Sequence, residues 1–199
     1  MDLRAAAVRE RRLFAEAGMK RRQGLLARAA FGLALLALGA CHEAGPVPGP
    51  QEPTEDSVAE FCGMSLQEHS GPKAQVFVDG RDAPYWFSSV HDMFAFTMVS
   101  VPRLPIRAIY VNDMGKARNW DHPEPGTWIE ARGAYFVIGS DRRGGMNEEE
   151  AIPFGAEAAA RGFVGEHGGR VVRFDAVPAD YVLPGYAPDG SQSRSSSHD

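Results

Sequence analysis

From Ala74 to Gly80 the chain alternates apolar and polar side chains and stops at Asp79-Gly80, the pattern of a strand closed by a turn. Tyr85-Trp86-Phe87 continues it as a hairpin. Ser88–Thr97 reads as a helix, with Ser88 or Ser89 placed to cap its first turn. Ile106–Val111 is the next strand, ending at Asn112-Asp113. The second half repeats the order. Strands are expected at Thr127–Ala131 and Ala134–Ile138 around a turn at Arg132-Gly133, then a helix over most of Ile152–Phe163 and a strand at Arg170–Phe174. Trp86-Phe87…Phe96 and Pro153-Phe154…Phe163 occupy similar places in the two halves. The pattern predicts an α+β domain of two ββαβ-like units packed as one, a weak internal duplication.

The flanks follow other rules. Residues 1–18 are rich in Arg and Ala, and Met19-Lys20-Arg21-Arg22 reads as a second start, which would leave 1–18 outside the working protein. The apolar run that ends at Ala40 is about a dozen residues long, right for a signal peptide and too short for a stable membrane span. Leu38-Gly39-Ala40-Cys41 has the form of a bacterial lipobox, so Cys41 is expected to carry lipid and begin the mature chain. An ordinary cleaved signal with a chance cysteine is the alternative. The expected organisation is a signal region at 1–41, a Pro-rich linker at 42–57, a domain at 58–183 and a disordered polar tail at 184–199. An extended linker of that composition rises roughly 3.1 Å per residue and would hold the domain up to about 60 Å from a membrane.

Charge narrows the function. The formal net charge is -5, but residues 1–41 hold eight of the 21 basic and three of the 26 acidic residues, leaving a net of -10 on the rest. An acidic body argues against nucleic acid, whose phosphates require a basic face. Acidic surface by itself mostly reflects solvation. Lipidation of Cys41 would leave Cys62 as a lone thiol in an oxidising compartment, where pairing is the usual fate.

Cys62-Gly63-Met64 sets a thiol and a thioether two residues apart. Soft sulfur donors select cuprous copper, and a thiolate binds it by giving up its proton. On an extended backbone the two side chains would share a face, with Gly63 letting the chain fold around an ion. A third sulfur would complete a trigonal site. Met93 and Met98 read as core fillers, whereas Met114 and Met146 both stay open as ligands. His69 is near enough in sequence to serve as a pendant ligand but reads as a surface residue. His91, His122 and His167 lack metal spacing, and the sequence has no CxxC, HExxH, nucleophile-elbow, P-loop or dinucleotide motif. Glu148-Glu149-Glu150 reads as the solvated first turn of a helix.

Phe61-Cys62-Gly63-Met64 with Gly71-Pro72-Lys73-Ala74-Gln75 resembles the NosL family, accessory lipoproteins of nitrous oxide reductase biogenesis. The likeness continues through Phe87-Ser88-Ser89-Val90-His91-Asp92-Met93 and through Gly145-Met146…Glu149-Glu150-Ala151-Ile152-Pro153-Phe154, over about residues 58–180. It implies a periplasmic Cu(I) chaperone that receives copper through a membrane transporter complex and passes it to the reductase. It implies a fold related to part of organomercurial lyase. It also implies Cys62, Met64 and Met146 as the copper ligands, which ranks Met146 above Met114. The family pattern would put a glycine after that methionine, where this chain has Asn147.

Two rival readings remain. One is a thiol enzyme with Cys62 as nucleophile, which would want a second thiol and a paired base. The other is a structural lipoprotein with an inert Cys62, which the polar run Gln67-Glu68-His69-Ser70 disfavours.

Overall fold

The computed structural model describes residues 45–100 and 104–185. The chain divides into two compact units, Met1–Pro46 and Val47–Asp199, and the architecture below is that of the second. The signal region, the lipobox and nearly all of the expected tail lie outside the described residues.

Strands β1 (Ala74–Val78), β2 (Tyr85–Phe87), β3 (Ile106–Asn112) and β4 (Trp128–Glu130) form one antiparallel sheet in the order β2-β1-β3-β4. Strands β5 (Tyr135–Ile138), β6 (Ile152–Phe154) and β7 (Arg170–Arg173) form a second, in the order β6-β5-β7. Helix α1 (Val90–Ser100) lies between β2 and β3 in the chain, helix α2 (Glu157–His167) between β6 and β7, and α3 (Ala179–Val182) follows β7. In each unit the first strand is flanked by the next two. The fold is thus mixed α and β with two ββαβ units, and β4 is an addition to the first sheet.

The structure departs from the sequence reading at two junctions. Trp128–Glu130 does not form a hairpin with Tyr135–Ile138; it pairs with β3 instead. Ala131–Gly133 is a 3-10 turn, capped by the Glu130 carboxylate accepting the Gly133 N–H, and it carries the chain from one sheet to the other. Ile152–Phe154 is a strand rather than the start of a helix. Pro153 has no N–H to donate and sits on the edge strand β6 opposite Phe136, where proline is tolerated.

One core serves both sheets. Phe94 of α1 packs edge-on against Phe136 of β5, with centroids 5.1 Å apart, and also against Phe174. Met93, Phe87 and Ile138 are buried in the same cluster. Every residue of β1 is buried, in place of the half-buried alternation that its pattern suggests. The expected linker explains part of this, because the compact unit already begins at Val47. Gln51 donates its N–H to the Gln75 Oε1 at 2.8 Å, and Gln51 O accepts from Gln75 Nε2 at 3.0 Å. The Glu52 carboxylate accepts from Gly126 N–H and the Trp128 indole N–H, and the Tyr110 hydroxyl donates to Pro48 O. Residues 48–52 are therefore a strap on the domain, not a free spacer.

Candidate metal centre

Cys62 and Met64 sit at the tip of a tight hairpin and not on an extended strand. Val58 and Ser65 form an antiparallel bridge, Ala59 N–H donates to Met64 O, and Gly63 N–H donates back to Ala59 O at 2.8 Å. Gly63 has φ +66, the left-handed region that glycine enters without a Cβ penalty. The hairpin is pinned to β2. Glu60 N–H donates to Trp86 O at 2.8 Å, and the Phe61 ring meets Phe87 edge-on at 5.7 Å. Ala59 and Leu66 are buried, while Phe61 and Met64 are exposed, Met64 by 45 %. Cys62 is a half-buried free thiol.

His69 is buried, not a surface residue, with 4 % of its surface exposed. The 3-10 turn Leu66–Glu68 curls the chain back after the hairpin, and His69 Nε2 comes to 3.5 Å from Cys62 Sγ. An imidazole nitrogen thus stands beside the thiol, a second donor suited to copper.

The Met146 loop is held against this segment. A Cβ at Gly145 would stand 2.9 Å from the His69 Cβ and 2.9 Å from Ser70 O, so glycine is what allows the two backbones to meet this closely. The loop itself is a tight turn. Gly144 N–H donates to Glu148 O, Asn147 N–H to Gly144 O, and Met146 N–H to the Glu148 carboxylate at 2.8 Å. Asn147 has φ +63. It fills the place where the family pattern would put glycine, and asparagine is among the residues that tolerate that conformation best. Met146 is 59 % exposed.

The other methionines are placed differently. Met93 is fully buried in the main core, and Met98 packs against it. Met114, the other open candidate, packs in the smaller cluster with Trp120 and Phe154, and its N–H donates to Pro153 O. Its side chain is taken up by packing. Among the described residues no three His, Cys, Asp or Glu side chains gather as a metal cluster. Methionine sulfur lies outside that set of residue types, and the hairpin and the loop each expose one methionine.

Glu150 corrects the expected acidic helix turn. It is 1 % exposed, lies just before β6, and accepts the His91 and Ala151 N–H groups on Oε1. Its Oε2 has no hydrogen-bond partner among the described residues and lies against Gly144. Burial pushes its pKa up to about 8, against the pull of those two N–H donors. Hydrogen bonding to the Asp92 carboxylate holds the nearby His91 above its usual pKa. Neither Glu148, which holds the Met146 amide, nor Gly145 stands out by residue chemistry. The glycine pair ahead of Met146 is the available signal, since adjacent glycines mark turns and close backbone approach.

The family model described as NosL matches residues 50–182. The chain is 42% identical over 169 residues to the copper-binding lipoprotein NosL of Achromobacter cycloclastes, covering 83% of this chain and 86% of that protein. It is 31% identical over 179 residues to the copper-binding lipoprotein NosL of Stutzerimonas stutzeri, covering 82% and 92%. The crystal structure of the copper chaperone NosL from Shewanella denitrificans superposes with a TM-score of 0.59 at 31% identity, covering 66% of this chain and 98% of that one. The hairpin, the Met146 loop and both sheets fall within the matched span, and the chain belongs to the NosL family.

Proposed function

We propose that this protein is a Cu(I) carrier, not an enzyme, lipid-anchored through Cys41 on the periplasmic face of a bacterial membrane. Its ligands are Cys62, Met64 and Met146, with His69 Nε2 beside the thiolate. The observation that carries the reading is the meeting of two segments far apart in the chain. The Cys62 thiol touches His69, and His69 touches Gly145, the neighbour of Met146. The relatives named copper-binding lipoproteins support the cargo, and sulfur donors support the cuprous state.

The exposure of Met64 and Met146 suits delivery. A partner's sulfur or imidazole can bond the ion before either thioether leaves, so copper moves by ligand exchange without appearing free in water. Thiolate binding releases the Cys62 proton. In the cell the donor would be a membrane copper-maturation transporter complex and the acceptor nitrous oxide reductase. X-ray absorption of the copper-loaded chain tests the ligand set. A shell dominated by sulfur that loses one scatterer in Met146→Ala is expected. A nitrogen and oxygen shell unchanged by that substitution would contradict it.

A further inference from the structure

Lys73 is 7 % exposed, and its Nζ donates to Gly71 O at 2.6 Å. That carbonyl is the sole hydrogen-bond partner of its ammonium among the described residues, and no carboxylate there lies within ion-pair distance. An ammonium carries three donors, and buried donors left unused cost free energy. Lys73 lines a cavity of about 380 Å³ together with Leu66, Gln67, Asn112, His122 and Trp128. That volume lies at the small end of the range for small-molecule sites.

Of the other polar side chains of this wall, Asn112, Glu52 and Trp128 are already engaged, while Gln67 and His122 are exposed. Asn112 Oδ1 accepts the Lys73 backbone N–H, and its Nδ2 donates to Thr127. The Glu52 carboxylate is taken by Gly126 N–H and the Trp128 indole N–H. Lys73 is left as the buried cation with donors to spare. We propose that this cavity binds a small organic carboxylate, its body between Trp128 and Leu66 and its oxygens on Lys73 Nζ. Burial pulls the Lys73 pKa down to about 8, against Glu150, Asp121 and Glu148, which act to raise it; the group is still a cation at neutral pH. The site uses none of the proposed copper ligands and stands or falls apart from them.

The test is an NMR titration of the copper-free chain from His42 onward, which holds the whole compact unit, with sodium benzoate and, separately, benzyl alcohol. Benzoate should shift the Trp128 indole and Asn112 amide signals saturably, with benzyl alcohol at least about tenfold weaker. Lys73→Met should weaken benzoate by about tenfold or more with the distant spectrum unchanged. If Lys73→Met fails to fold, Gln67→Trp at the exposed cavity wall is expected to block benzoate with Lys73 in place. The proposal is overturned by no saturable shift, by equal binding of benzoate and benzyl alcohol, or by undiminished benzoate binding in the folded Lys73→Met or Gln67→Trp chain.

Discussion

Gly145 lies so close to His69 that a methyl group on it would stand 2.9 Å from the His69 Cβ. This contact joins the two halves of the proposed copper site. Forcing extra atoms into such a junction costs about 1–3 kcal/mol or moves the backbone. Gly145→Ala should therefore push the Met146 loop off the hairpin and weaken Cu(I) binding by about tenfold, the equivalent of roughly 1.4 kcal/mol. Chelator competition measures the affinity, and circular dichroism should show the fold retained. Unchanged affinity would mean that the loop does not close the site.

Asn147 holds a left-handed turn next to Met146. Asn147→Gly should be neutral or slightly stabilising, whereas Asn147→Val should cost about 1–2 kcal/mol because a branched Cβ crowds that conformation. Thermal unfolding checks the order of the two variants. Equal melting temperatures would show that the loop relaxes out of this conformation.

Much of the architecture is legible in the sequence because it rests on local periodicity. β1, β2, α1 and β3 follow directly from the run Ala74–Asn112. Pairing is harder. Nothing local distinguishes a strand at Trp128 that joins β3 from one that turns back on β5, since tertiary packing makes that choice. Ile152–Phe154 is apolar and short, and periodicity alone does not separate such a run from a buried helix. Cys62 and Met64 stand out by their chemistry, whereas Met146 is separated from Met114 only by the family resemblance. The burial of His69 depends instead on a 3-10 turn and on a loop from the other half of the chain.

The strap gives a third outcome. Gln75 is buried and binds Gln51 through both ends of its side-chain amide. Gln75→Leu leaves the Gln51 N–H and C=O without that partner, a loss of about 1–3 kcal/mol. Residues 48–52 should then become an early site of limited proteolysis, and their amides should exchange faster. Cleavage at the same rate in both chains would show that the strap is held by its other bonds.

Glu150 sets a pH dependence. Its folded pKa of about 8 exceeds the ordinary 4.5, so the folded state holds the proton more tightly than the unfolded one. The resulting stability is fully present below 4.5 and is lost as pH rises towards about 8. Lys73 acts above that window: its folded pKa of about 8 lies below 10.5, so the penalty for burying its charge is relieved as pH rises between them. Glu150→Gln should gain stability relative to the parent chain as pH rises between 4.5 and about 8. Denaturant melts near each end of that range measure this. A constant difference would show that Glu150 does not titrate there.

The role of Cys62 decides the central claim. Anaerobic Cu(I) titration against a colorimetric chelator should give one tight site in the parent chain and in Met93→Leu, a change confined to the core. In Cys62→Ser the same titration should find that site abolished, and in Met64→Ala and Met146→Ala weakened. A Cys62→Ser chain that holds copper as tightly as the parent would contradict the proposed ligand set.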